Sequence, residues 1–185
     1  MDIVYTQPLK ELLQITSYFK EKVVVLVENE KDEKVARTNG FFPCYLVSDS
    51  TKDIQKISSK TKAVLGGSVK NNEFATKIKA DFLLQPSNTK QFFDLGLAKK
   101  LSDNDTTVVL MFEELMSKNS FERHQYWKNF AELVRYCKMK KTKFVVASGA
   151  KDPLHIRPRK VRIALAEILG VEKEIAEKYL SEEIK

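Results

Sequence analysis

The chain has 185 residues, 43% of them hydrophobic and 31% charged, with a formal net charge of +7. A chain of that length suits a single α/β domain over residues 1–185, with a core that needs no disulfide or metal staple. The longest aliphatic run, residues 23–27, falls far short of the ~20 apolar residues of a membrane helix. No basic-then-apolar leader opens the sequence. Cys44 and Cys137 match neither a paired framework nor a metal-ligand spacing, so the expectation is a soluble, reduced, cytoplasmic protein.

In chain order, short β-branched runs alternate with stretches of helical period. Strands are expected over residues 2–5, 22–27, 42–47, 62–65, 81–84, 106–112 and 143–147, mostly as continuous apolar runs suited to burial on both faces. A first helix starts at Pro8, where the missing N–H costs least. Ser68 or Asn71 caps a second, which carries Phe74, Ala75 and Ile78. Further helices are expected over 92–101, 120–141, 154–169 (closing against Gly170) and 172–180. Residues 28–40 lack apolar periodicity and read as a mobile loop.

Repeated strand–helix alternation means a parallel sheet, either doubly wound or closed. About seven units favour a TIM-type, barrel-like parallel β/α fold, trimmed relative to the ~200–250 residues common for barrels. In either architecture ligands meet the carboxyl ends of the strands.

Three such ends carry candidate chemistry. Gly66-Gly67-Ser68 could form an anion nest, but no P-loop lysine spacing follows, and an ordinary strand-to-helix turn is preferred. Glu113 and Glu114 adjoin on a strand end and should point to opposite faces. The third end is the stretch from Ser148-Gly149-Ala150 through Asp152-Pro153 and His155 to Arg157-Pro158. In the helix that follows, Val161, Ala164, Leu165, Ile168 and Leu169 are expected to be buried, with Arg159, Arg162 and Ala166 on another face. Arg157 and Arg159 stand near that helix's N-terminus, where the macrodipole disfavours cations; a local rule broken this way points to function.

The positive charge is concentrated. Residues 118–162 hold 13 Lys and Arg against Glu122, Glu132 and Asp152, a net of +10, leaving −3 for the rest. Such a segment attracts polyanions. The cations expected to face such a polyanion, nucleic acid being the candidate, are Arg123, Lys138, Lys140, Lys141, Lys151, Arg157, Arg159, Lys160 and Arg162, with His155 beside them. Lys128, Arg135 and Lys138 share a helix face with Glu132, while Trp127, Phe130, Val134 and Cys137 read as core. A rival reading is a stand-alone metal-dependent phosphohydrolase with Glu113, Asp152 and His155 as ligands, although neither His124 nor His155 lies in an HxH or HExxH pattern.

The runs DFLLQPSNTKQFFDLGLAKKL, VVLMFEELM, R-x3-W-x2-F-x2-LVRYCK and VVASGAKDPLHIRPRKVRIALAEILGV resemble ribonuclease P protein component 3, the archaeal counterpart of the eukaryotic thirty-kilodalton subunit. The resemblance spans about residues 62–180, and its most specific element is the SGA turn followed after six residues by Arg157-Pro158. It implies a seven-stranded barrel related to metal-dependent phosphohydrolases, without a working metal centre. It places Ser148, Gly149, Ala150 and Arg157 in the shared motif. It further implies a non-catalytic subunit that binds the catalytic RNA of ribonuclease P, works with protein component 2, and serves precursor tRNA as substrate. On this reading the protein binds no cofactor and magnesium is used by the RNA.

Overall fold

The computed structural model describes residues 1–5, 9–19, 21–50, 57 and 59–181. Seven strands form one parallel sheet in sequential order: β1 (Asp2–Val4), β2 (Val23–Val27), β3 (Phe42–Val47), β4 (Lys62–Leu65), β5 (Phe82–Leu84), β6 (Thr107–Met111) and β7 (Phe144–Ala147). All seven expected strands are present, with ends that differ by one residue at most. The helices are α1 (Leu9–Phe19), α2 (Glu30–Thr38), α3 (Val69–Lys77), α4 (Leu95–Asp103), α5 (Phe112–Met116), α6 (Ser120–Lys140), α7 (Arg159–Ile168) and α8 (Lys173–Ser181). Pro8 lies outside the described residues. None of the described helices is long and apolar enough to cross a membrane.

Burial on both faces is plain in β2. Val24 and Leu26 join one apolar cluster, with Ile3, Cys44 and most of β4–β7, while Val23, Val25 and Val27 join another under α1 and α2. Both cysteines are buried and free, and burial pushes their thiols up, which keeps them protonated.

The sheet curls until its outer strands meet. Gly149 donates its N–H to Ile3 O at 2.9 Å, and Tyr5 donates to Ala150 O at 2.9 Å, so the residues just past β7 close on β1. The SGA turn is therefore the seam of a nearly closed, TIM-like barrel. Gly149 sits at φ +61°, and a methyl there would stand 2.7 Å from Met111 Cβ, so glycine is required twice over.

Four expectations need correction. Residues 28–40 contain α2, a helix held by caps and charge instead of an apolar stripe. Asn29 accepts from Asp32 N–H, Glu30, Asp32 and Glu33 favour the first turn, and Ala36 is its buried apolar contact. The helix expected over 154–169 is two pieces, a single 3-10 turn at Pro153–His155 and then α7, because Pro158 biases Arg157 away from helical geometry. The helix expected from Phe92 starts at Leu95, where Asp94 caps it by accepting from Leu97 N–H. Phe112 opens α5 instead of ending β6. Ser68 caps α3 as expected, and Gly170 follows α7 at φ +89°.

Candidate nucleic-acid interface

Beneath the seam lies a buried polar knot. Ser148 donates N–H to Asp2 Oδ1 at 2.7 Å and its hydroxyl to Asp2 Oδ2 at 2.5 Å, and the same hydroxyl oxygen accepts from Arg157 N–H at 2.8 Å. Arg162 enters from α7. Its guanidinium donates to Met1 O at 2.7 Å and Arg157 O at 3.1 Å, pairs with Glu21, and lies 3.7 Å from Asp2 Oδ1. Ser148 and Arg162 are fully buried, and Asp2 is 1% exposed.

This knot overturns two readings of α7. Arg162, expected to face RNA, has no access to it. The buried face of the helix is Arg162, Ile163, Leu165, Ala166 and Leu169, while Val161 and Ile168 are 41% and 73% exposed and Ala164 is also exposed. Apolar residues surround α7, so their spacing leaves its phase open, and the charge partners of Arg162 fix it. The same partners resolve the apparent conflict with the helix dipole. Glu21 accepts from Arg159 N–H at 2.8 Å, so a carboxylate from before β2 stands at the N-terminus of α7.

On the carboxyl rim of the barrel, α5 is the hub. Arg157 stacks on the Phe112 ring at 5.6 Å, His155 Nδ1 meets Glu113 at 2.9 Å, Lys151 pairs with Glu114 at 3.2 Å, and Arg123 donates to Lys118 O at 2.9 Å. Burial, with Glu114 close by, lifts the Tyr5 hydroxyl to about 12. Glu113 meets His155 and Glu114 meets Lys151 separately, as helical geometry rather than strand alternation separates the two carboxylates. Asp152 is spent capping Leu154 N–H at 2.8 Å. Among the described residues no group of three or more His, Cys, Asp or Glu side chains could hold a metal.

The remaining cations lie elsewhere. A 21-residue helix is about 30 Å long, so Lys138, Lys140 and Lys141 at the end of α6 are far from Arg123 at its start. Lys138 is tied to Glu172 at 2.7 Å and Gly170 O at 3.1 Å, and it holds the Glu172 carboxyl below its usual range. Arg159 donates to Glu177 O at 3.0 Å, while Lys160 is exposed. Along the outer side of α6, helical spacing aligns exposed Phe121, His124, Lys128 and Arg135, with Lys138 at the edge of the stripe. Phe130, Val134 and Cys137 are core, as expected, and Trp127 is half-buried.

The family model described as RNase P subunit p30 matches residues 46–185. The chain belongs to this family. It is thus a protein subunit of ribonuclease P, and the stand-alone phosphohydrolase reading is not favoured. No curated protein matches the chain. Among solved structures, a chain of the cryo-EM structure of archaeal ribonuclease P with mature tRNA is similar, with a TM-score of 0.81 at 18% identity over 97% of this chain and 86% of that one. A crystal structure of a Xaa-Pro dipeptidase with bound methionine reaches a TM-score of 0.45 at 12% identity over 94% of this chain and 47% of that one. The p30 match begins inside β3, yet the residues before it supply Asp2 and Glu21, which the SGA turn and Arg162 require. Both acids escaped the sequence reading. An acid inside a short apolar strand was the available signal for Asp2, since a buried carboxylate needs partners.

Proposed function

We propose that this subunit binds the RNA of ribonuclease P through phosphate contacts and so supports RNA-based cleavage of precursor tRNA at the mature 5′ end. The observation that carries the reading is the exposed α6 stripe of Lys128 and Arg135 in the segment with a net charge of +10. Lys128, Lys140, Lys141 and Lys160 have no ion-pair partner among the described residues, which suits them to neutralise phosphate. The rim cations Lys151 and Arg157, with His155 beside them, add contacts by exchanging carboxylate or ring partners for phosphate. The chain contributes no catalytic group and binds no cofactor on this reading. Magnesium serves the RNA, protein component 2 is the partner subunit, and the assembly works in the cytoplasm.

Reconstitution of the particle tests this. Arg157→Ala, and Lys128→Ala combined with Arg135→Ala, are expected to lower cleavage of precursor tRNA, chiefly at low magnesium, where protein cations matter most. Each lost phosphate contact should flatten the salt dependence of RNA binding by about 0.7–0.9 per charge. Variants that assemble and cleave like the wild type would remove the proposed surface.

A further inference from the structure

A second feature of the rim lies outside these cations. Between the loop after β5 and the α5–α6 junction is a cleft of about 410 Å³, lined by Gly67, Asn88, Lys90, Phe92, Lys118 and Tyr126. Its volume falls in the range of small-ligand sites, roughly 300–1,000 Å³, large enough for a nucleotide and far too small for a duplex. Lys90 is exposed at its edge, and Lys118 lies 5.9 Å from the Tyr126 ring. Glu122, held by Asn119 at 3.0 Å, also lines the cleft, so its lining carries one net positive charge, and Lys118 lies 3.9 Å from Glu114, which a phosphate would replace.

The loop is built to hold this shape. Asn72 donates to Pro86 O at 2.9 Å and Phe92 O at 3.0 Å, Asn88 donates to Gly67 O at 3.0 Å, and Asn129 donates to Asn88 O at 2.7 Å. Gln91 is tied to Glu132 at 3.1 Å. Gly66 takes its place here as well: a methyl on it would stand 2.7 Å from Pro86 Cα, so the GGS turn lets the loop pack down. Such fastening holds Lys90 and Phe92 in place before any ligand arrives, which lowers the ordering cost of binding. Phe121, 74% exposed, stands on α6 next to the residues that line the cleft.

We propose that this cleft binds one unpaired nucleotide of RNA, with its phosphate between Lys90 and Lys118 and its base against Phe92. A cationic edge beside an aromatic wall is the chemistry that recognises single-stranded RNA, whose bases are free to stack. The inference rests on the RNA-binding reading above and gives it a specific contact that the α6 stripe lacks.

The test uses the full chain with fluorescein-labelled decauridylate and a labelled duplex RNA of equal length, followed by anisotropy across a range of KCl. Lys90→Gln combined with Lys118→Gln should weaken binding to decauridylate about tenfold and reduce its salt slope by about 1.4, two charges at ~0.7 each, with duplex binding unchanged. Arg135→Gln should weaken both RNAs. Equal losses on the two RNAs, or no loss on either, would overturn the cleft. Unchanged RNA binding with impaired assembly beside the other protein subunits would assign the cleft to a protein partner and overturn it too. If the wild-type chain shows no salt-dependent binding to either RNA, the broader RNA-binding reading fails first.

Discussion

Ser148 and Asp2, 146 positions apart, are joined by two hydrogen bonds of 2.7 and 2.5 Å that fasten the last strand of the barrel to the first. The serine hydroxyl donates to Asp2 and accepts from Arg157 N–H, so one side chain ties the seam to the loop that carries a rim cation. Ser148→Ala would leave a buried carboxylate oxygen and a backbone N–H without partners. The expected loss is about 2–4 kcal/mol, because bonds to charged groups contribute ~1.5–3 kcal/mol and an orphaned buried group adds its own penalty. Urea unfolding should show a lower midpoint with an unchanged slope. A midpoint equal to wild type would mean that the seam is held by backbone bonds alone.

Arg162 separates a structural role from RNA contact. Replacing it with alanine leaves buried Asp2 and partly buried Glu21 without their cation, a change that typically costs about 3–5 kcal/mol for a buried pair. Arg162→Met keeps the volume and should cost less when combined with Glu21→Gln, since the unpaired charge is then reduced. At a temperature where the variant remains folded, the salt slope of RNA binding should match the wild type. A slope reduced by about 0.7–0.9 would return Arg162 to the RNA surface.

The arginine also explains which parts of the molecule were legible in the sequence. The strands were, because β-branched runs such as VVVLV must be buried on both faces wherever they fall. Ser68 and Gly170 were too, since capping is local chemistry. The phase of α7 was not, because it depends on Glu21 and Asp2, which lie more than a hundred positions away. Helix α2 was missed for a related reason: Glu33 anchors it through a bond to Tyr45, and a polar anchor leaves no apolar period to read. The motif residues Ser148, Gly149 and Arg157 were found in sequence, but their joint role as the seam needed the first strand beside them.

Gly149→Ala tests whether that seam tolerates any side chain. The new methyl would crowd the Met111 side chain while the backbone stays in the left-handed region. Left-handed strain for a residue with a Cβ costs about 1–2 kcal/mol, and the crowding adds to it. A thermal midpoint lowered by about 2–8 °C is expected for a domain of this size. In a double-mutant cycle Gly149→Ala should cost less in a Met111→Ala background than in the wild type, whereas an equal cost in both backgrounds would place the whole penalty in the backbone.

Acid stability should depend on Glu33, the polar anchor of α2. Its carboxylate accepts from Lys60 at 2.6 Å, from the Tyr45 hydroxyl at 2.5 Å and from Arg37 at 3.0 Å. The Lys60 bond, followed by Tyr45, lowers its pKa from 4.5 to about 2 despite the opposing effect of burial. The folded value is the lower one, so this stabilisation is fully present above about pH 4.5. It is lost as the pH falls toward about 2, where the folded protein also takes up the proton. Urea midpoints measured across that window should fall more steeply for wild type than for Tyr45→Phe combined with Lys60→Met. Removing both donors brings Glu33 back toward its unfolded value, so the variant starts less stable and loses less on acidification. Parallel curves for the two proteins would show that Glu33 titrates in the fold as it does in the unfolded chain.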